Sequence, residues 1–457
     1  MRGAVARVLA IAGAFAAGYS VYGLFRHWHF DSGAFDMGIF DQVVWHLSRF
    51  EVPASSVRGY ANILGDHFSP ILALLAPLYW IAPGPETLII AQAVLLALSI
   101  VPVFVYARRR LPAGPAYALA IAYGLFWGMQ RAATFDFHEI AFAPLIIATA
   151  ILALDDGRWV LFWTMALLLI LVKEDLIPII GGFGLLLLLR REFRQGLIAI
   201  AVSCAAFVVI VRWVIPTMAG STVFGYTGAY VEAMQDPWRI PILFFTPALK
   251  LRTILSLLGP FLFLPLLSPL SILIVPIAAE RFLSSSPNLW GTAFHYWPPV
   301  APVLAMAAAD GLARVGTWLR SGRVDSRAMT TMRVCAAMCI VLCAIVPGHQ
   351  PLLRLFKPSF YRRVPVQDAG NKVVGLIPKD ASVVAQGPIL PHLSNRDRVF
   401  LLENTEPDTE FLVATDQLDP WPLGSLDELR ELIDAHRRRG YEAVYEHDGW
   451  VILRRRD

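Results

Sequence analysis

The chain has 457 residues, of which 56% are apolar and 16% charged, where soluble proteins carry about 25% charged residues. That excludes an ordinary soluble enzyme, because apolar runs such as 91–105, 161–172, 197–211 and 254–267 approach the ~20 residues that cross ~30 Å of hydrocarbon. A formal charge of +4 is too small to call for a nucleic-acid partner, and the basic residues gather in short loops between apolar runs.

The first apolar run follows Arg2 and Arg7 and continues to Phe25, longer than a signal core, so it reads as an uncleaved span. With the N-terminus cytoplasmic, Arg108–Arg110, Arg158, Arg190, Arg191, Arg194 and the stretch from Arg314 to Arg333 all fall inside. This parity requires spans near 4–25, 86–107, 113–129, 140–154, 159–172, 176–189, 196–215, 251–267, 271–283, 298–310 and 334–347, eleven in all, and sends the C-terminus outside. The expected location is therefore the inner or plasma membrane, crossed many times.

Spans 159–172 and 176–189 are short, about 21 Å each at ~1.5 Å per residue. They read as a hairpin around Lys173-Glu-Asp175, since one long helix would separate Arg158 from Arg190–Arg194. Cys204, Cys335, Cys339 and Cys343 all lie in apolar stretches, which implies neither a disulfide framework nor a zinc site.

Three segments expected outside are long: 26–85, 216–250 and 349–457. In the first, Ile39, Phe40, Val43, Val44 and Leu47 make an apolar helical stripe while Asp41, Gln42 and His46 face elsewhere, the pattern of a helix lying in the membrane interface. Asp36 stands where a capping aspartate would precede that helix, and Ser69 where a cap would precede Pro70. Residues 71–82 form a second apolar stretch, too interrupted by proline to cross.

From 349 on, 15 basic and 17 acidic residues with no membrane-length run indicate a soluble domain, so the chain divides into a membrane domain over 1–348 and a small extracytoplasmic α/β domain over 349–457. Strands are expected at 382–385, 398–402, 410–414, 441–445 and 450–453, with a helix over 425–439 that Gly440 ends.

The polar residues at the expected outer mouths of the helices are Asp36, Asp41, Asp66, His67, Asp136, His138, Glu139, Lys173, Glu174, Asp175, Glu280, Arg281, His295 and Tyr296. Ionisable groups at membrane depth are costly, so a set drawn from five inter-helix regions suggests a polar chamber there, although any one of them could be a solvated loop residue. Asp136-Phe-His-Glu139 has the residue types of a metal or acid/base site, but neighbouring side chains rarely all bind one ion.

Phe35-Asp-Met-Gly-Ile-Phe-Asp-Gln42, Asp66-His-Phe-Ser-Pro70, Phe137-His-Glu139, Lys173-Glu-Asp175, Glu280-Arg281 and Phe294-His-Tyr296, in this order among apolar helices, resemble a bacterial DUF family of predicted polytopic membrane proteins. That family in turn resembles the GT-C glycosyltransferases. The resemblance covers most of 15–310 and implies a GT-C-like fold of about eleven transmembrane helices. It implies a catalytic aspartate in the first outer loop, a polyprenyl-phosphate sugar donor, and a cell-envelope glycan, lipid or protein as acceptor. By motif position Asp36 is the base candidate, and Arg281, Lys173 and His67 are candidates to bind the donor phosphate, Arg281 first because guanidinium grips phosphate with a bidentate fork. The remaining mouth residues would line the substrate cavity, and the segment 290–299 its opening to the bilayer. Asp36 and Asp41 are five apart rather than a compact Asp-x-Asp, so the sequence assigns no metal ligands and does not require a divalent cation. The competing readings are a transporter or lipid flippase, for which internal repeats are lacking, and a membrane scaffold whose outer domain binds a wall component.

Overall fold

The computed structural model describes residues 2–320, 325–348, 350–403 and 407–456. Part of the basic loop, 321–324, and residue 349 at the expected domain boundary lie outside the described residues.

Among the described residues, apolar composition and length make five helices able to cross a membrane: Gly3–Trp28, Pro85–Arg110, Phe193–Ala219, Val300–Leu319 and Ser326–Ile345. Pro237–Phe245 and Ala248–Phe261, bent by 63° at their junction, would make a sixth. Between them stand shorter helices, among them Ala113–Leu125, Ala143–Asp155, Trp159–Val172 and Pro178–Leu189. The expected span 251–267 does not run straight. Its helix stops at Leu258, Gly259–Phe261 tighten into a 3-10 turn, and Leu262 and Phe263 take positive φ of 55° and 57°. Pro260, Pro265 and Pro269 each remove a backbone donor, so the chain goes on as short 3-10 turns packed along Val300–Arg320.

The basic loops converge at one end of the bundle. Arg110 pairs with Asp155 and, at 3.6 Å, with Asp310; Arg314 reaches Asp310 at 3.1 Å, and Ser268 donates to Asp310 at 2.7 Å. Trp163 Nε1 donates to Gln195 at 3.0 Å, so the start of Trp159–Val172 and the stretch after Arg194 share this end. The chain therefore does turn back at Lys173, whose backbone is extended at φ −169° and ψ 146°.

At the opposite end sits the C-terminal α/β unit. Strands β1 (Val383–Ala385), β2 (Val399–Leu401), β3 (Phe411–Thr415), β4 (Tyr441–His447) and β5 (Trp450–Arg455) form one sheet in the order β2-β1-β3-β5-β4. β1 is parallel to β2 and β3, and β5 is antiparallel to β3 and β4. One face is covered by Leu426–Arg438, capped by Ser425 Oγ accepting from the Glu428 N–H at 3.2 Å and ended by Gly440 at φ 94°. The helix Pro365–Gly375, unforeseen in the sequence, lies between the sheet and the bundle, and Gly370 admits the close approach of Phe30 and Trp450.

This unit changes the role of the helix Ile39–Ser48. Rather than lying in an interface with a wet polar face, it is buried on nearly all sides, Asp41 and Gln42 included. Gln42 donates to the backbone oxygen of Arg396 at 2.9 Å, and Ser56 Oγ to that of Val399 at 2.7 Å. The polar stripe binds the C-terminal unit, which explains why it carries hydrogen-bonding rather than solvated residues.

Candidate active site

At the end of the bundle away from the arginine-rich loops, the turns between helices enclose a cavity of about 720 Å³. Its polar wall comes from Asp36, Arg58, Asp66, His67, Ser69, His138, Lys173, Glu174, Asp175, Tyr226, Tyr230, Glu280 and Tyr296. Its apolar wall includes Phe207 and Val211 from the membrane-length helix Phe193–Ala219, with Pro276, Ala279 and Leu283 from the ten-residue helix Ile274–Leu283. The site thus has one polar and one greasy side.

Asp36 sits in an unusual backbone. Its φ of 66° and ψ of −78° fall near the strained γ-turn region, which a side chain adopts only when its surroundings enforce it. The enforcement is visible. Asp136, buried, pairs with Arg26 at 2.7 Å and accepts from the Gly33 N–H at 2.9 Å, anchoring the chain before the turn. After it, Gly38 lies against Leu390 of the C-terminal unit so closely that a Cβ would meet that side chain at 2.5 Å. Asp36 does not cap the following helix, whose N-cap is Gly38. Its carboxylate makes no hydrogen bond or ion pair among the described residues. Enclosure raises it to a pKa of about 6, with Asp136 and Glu139 adding to the rise while His138 and Lys173 oppose it.

The other lining carboxylates are engaged. Asp66 pairs with Arg58 at 3.0 Å and accepts from the Tyr226 hydroxyl at 2.7 Å. Glu174 accepts from the Phe68 N–H at 2.9 Å and lies 2.6 Å from His67 Nδ1, whose ring stacks on Tyr226. Tyr230 donates to Glu280 at 2.6 Å. Ser69, expected as a helix cap, makes no capping bond and leaves its hydroxyl unpaired in the wall.

Several expected cavity residues stand elsewhere. Glu139 is buried behind the wall, 3.0 Å from Lys173 Nζ and 2.9 Å from His138 Nδ1, an arrangement that keeps Lys173 charged against the cost of burial. His295 lies behind His138, ring against ring at 4.3 Å, and its enclosure keeps it neutral. Asp41 faces away from the cavity altogether. Arg281 does not reach an interface: it is 1% exposed, its Nε 3.4 Å from Glu280, its Nη2 3.9 Å from Asp175, and its guanidinium 5.2 Å from the Trp297 ring. The two tryptophans of 290–299 are buried packing residues, not a bilayer opening. Conversely, Arg58, Tyr226 and Tyr230 line the cavity without any sequence motif to announce them, although they lie in the first two long segments between spans. Among the described residues the one trio of metal-type ligands with atoms within 4.8 Å of one another is His46, Glu51 and Asp397, outside the cavity.

The sequence matches the family of predicted membrane proteins DUF2079 over residues 26–452, and the chain belongs to that family. No curated protein matches it. Among solved structures it is similar to ArnT from Cupriavidus metallidurans bound to undecaprenyl phosphate, with a TM-score of 0.57 at 12% identity over 99% of this chain and 98% of that one. The same enzyme in the apo state gives 0.55 at 13% identity over the same shares. An archaeal oligosaccharyltransferase from Archaeoglobus fulgidus gives 0.44 at 13% identity over 86% of this chain and 64% of its own. The fold is that of the GT-C glycosyltransferases.

Proposed function

We propose that the protein is a membrane glycosyltransferase that moves a sugar from a polyprenyl-phosphate carrier to an acceptor of the cell envelope, with inversion, and that Asp36 is its general base. The observation carrying this reading is that Asp36 alone among the lining carboxylates has no partner among the described residues, while strain and enclosure hold it at the cavity wall. Such a carboxylate is available to take the proton of an acceptor hydroxyl. The hydroxyl oxygen then forms a bond to the anomeric carbon, and the bond from that carbon to the phosphate oxygen breaks, its electron pair leaving with the phosphate. Lys173, Arg58 and His67 supply the cationic side of the same cavity and would stabilise that leaving group. The apolar wall at Phe207, Val211 and Leu283 would take the polyprenyl chain. The likeness to a fold solved with undecaprenyl phosphate supports the carrier assignment.

In this reading the arginine-rich end faces the cytoplasm and the C-terminal unit the outside of the plasma membrane, which is where a transfer onto the envelope takes place. The test is release of free polyprenyl phosphate from a panel of polyprenyl-phosphate sugars by the purified protein in liposomes supplied with envelope acceptors. Release that disappears in Asp36→Asn is the expected result; no release from any donor would overturn the reading.

A further inference from the structure

At the rim of the cavity two aromatic rings from opposite ends of the sequence meet and stay uncovered. Phe35, one residue before Asp36, is 39% exposed, and Trp421 of the C-terminal unit is 41% exposed. Their centroids are 5.0 Å apart with planes at 78°, which makes a right-angled corner. The Arg58 guanidinium lies 5.8 Å from the Phe35 ring.

The corner is built rather than incidental. The Trp421 N–H donates to Asp419 Oδ1 at 3.0 Å, and Gln386 Nε2 holds the backbone oxygen of Asp419 at 2.7 Å. Gly387 leaves room for this loop, since a Cβ there would stand 2.7 Å from the Trp421 carbonyl oxygen. An apolar surface kept rigid and open beside a polar cavity marks a contact site. Aromatic faces carry negative charge density that attracts the C–H groups on one side of a pyranose ring, whose hydroxyls stay free at its edge. A ring seated on Phe35 would bring such a hydroxyl next to Asp36.

We propose that Phe35 and Trp421 form the acceptor subsite and that the acceptor is a saccharide, stacked on this corner. The proposal rests on the glycosyl-transfer reading of the cavity, and binding without turnover separates the two. The probe is an array of pyranose-containing bacterial envelope oligosaccharides, presented to the protein in nanodiscs. Wild type and Asp36→Asn should retain the same glycans. Trp421→Ala and Phe35→Ala should lose retention by about tenfold or more, the scale of a lost aromatic stack, with melting temperatures unchanged. Trp421→Tyr should keep it. Trp421→Leu, which conserves apolar bulk without a π face, should lose it. No retained glycan, or retention that survives Trp421→Ala or Trp421→Leu, overturns the proposal. Glycan binding with this variant pattern but no transfer by wild type would leave the subsite standing and remove the enzymatic reading.

Discussion

The Asp41 carboxylate accepts a hydrogen bond from the Ser394 hydroxyl at 2.6 Å, across 353 residues of chain. Tyr79 donates to its other oxygen at 2.6 Å and Asn395 donates as well, so a fully buried acid joins the helix after Asp36 to the C-terminal unit. Deleting it takes the acceptor from the buried Tyr79 hydroxyl and from Asn395, at about 1–3 kcal/mol for a buried group left unpaired, while Ser394 can still donate to the Pro391 backbone oxygen.

Asp41→Ala should therefore lower the thermal midpoint and expose the C-terminal unit to protease before the helices unfold. Identical digestion of variant and wild type would show that the clamp is dispensable.

Asp36 makes a different prediction, because its carboxylate makes no hydrogen bond among the described residues. Asp36→Asn should leave melting unchanged while transfer falls by roughly 10² or more, the scale of general-base assistance. A base must be deprotonated to act, and this one has a pKa of about 6, so wild-type rate should be full well above pH 6 and decline as the pH falls through it. A flat rate between pH 5 and 7, read from initial velocities, contradicts the assignment.

Glu139 and Lys173 test the wall behind the site. With their charges 3.0 Å apart and both side chains buried, Glu139→Gln removes the nearest counter-charge of a buried ammonium, a loss of up to about 3–5 kcal/mol for a broken buried pair, part of which Asp175 and Glu174 offset. Glu139→Gln should thus melt well below wild type, and pairing it with Lys173→Met should recover part of the loss. Equal melting of all three proteins would mean the pair is not coupled.

How much of this was legible in the sequence follows from the range of the forces involved. The five strands are short runs bounded by turn residues, with β1 and β3 buried along their whole length, so they could be read from neighbours alone, whereas local apolarity gave eleven spans where five described helices, or six with the bent pair, reach membrane length. Asp41 looked like a helix-surface acid because its partners Ser394 and Asn395 lie in another part of the chain, and no local pattern encodes that docking. Arg281 looked interfacial because it follows an apolar run, yet Trp297 and Glu280 bury it. Arg58 belongs to no motif; only the fold brings it to Asp66 and the cavity. The break after Leu258 was signalled by Gly259-Pro260, which a hydropathy reading ignores because it weighs side chains and not backbone donors.

Orientation is testable with impermeant maleimide on intact cells, in a background where the exposed Cys204 is replaced by Ser. Asp427, its side chain 85% exposed on the C-terminal unit, and Arg314, 56% exposed at the arginine end, are suitable cysteine positions. Asp427→Cys should label on intact cells and Arg314→Cys only after permeabilisation. The reverse pattern would place the cavity on the cytoplasmic side.

The two arginines near the cavity should part company when each is substituted. Arg58 faces the cavity and is partly exposed, held by Asp66 at 3.0 Å and more loosely by Tyr226 at 3.3 Å, so a phosphate oxygen could take the place of the Tyr226 hydroxyl while the ion pair stays. Arg58→Ala should weaken polyprenyl-phosphate binding by about tenfold, the effect of one lost charge-assisted bond of ~1.4 kcal/mol, and leave melting nearly unchanged. Arg281 stands off the cavity between Glu280, Asp175 and the Trp297 ring, and its Nε and Nη1 make no hydrogen bond among the described residues. Lysine there keeps a charge but neither the planar stack nor the reach to both acids. Arg281→Lys should consequently lower stability while the remaining folded protein binds the lipid phosphate normally. Lipid affinity measured by titration in nanodiscs, alongside thermal melting of both variants, decides between the two roles: if Arg281→Lys loses lipid and Arg58→Ala does not, the phosphate belongs to Arg281 and the cavity assignment for Arg58 fails.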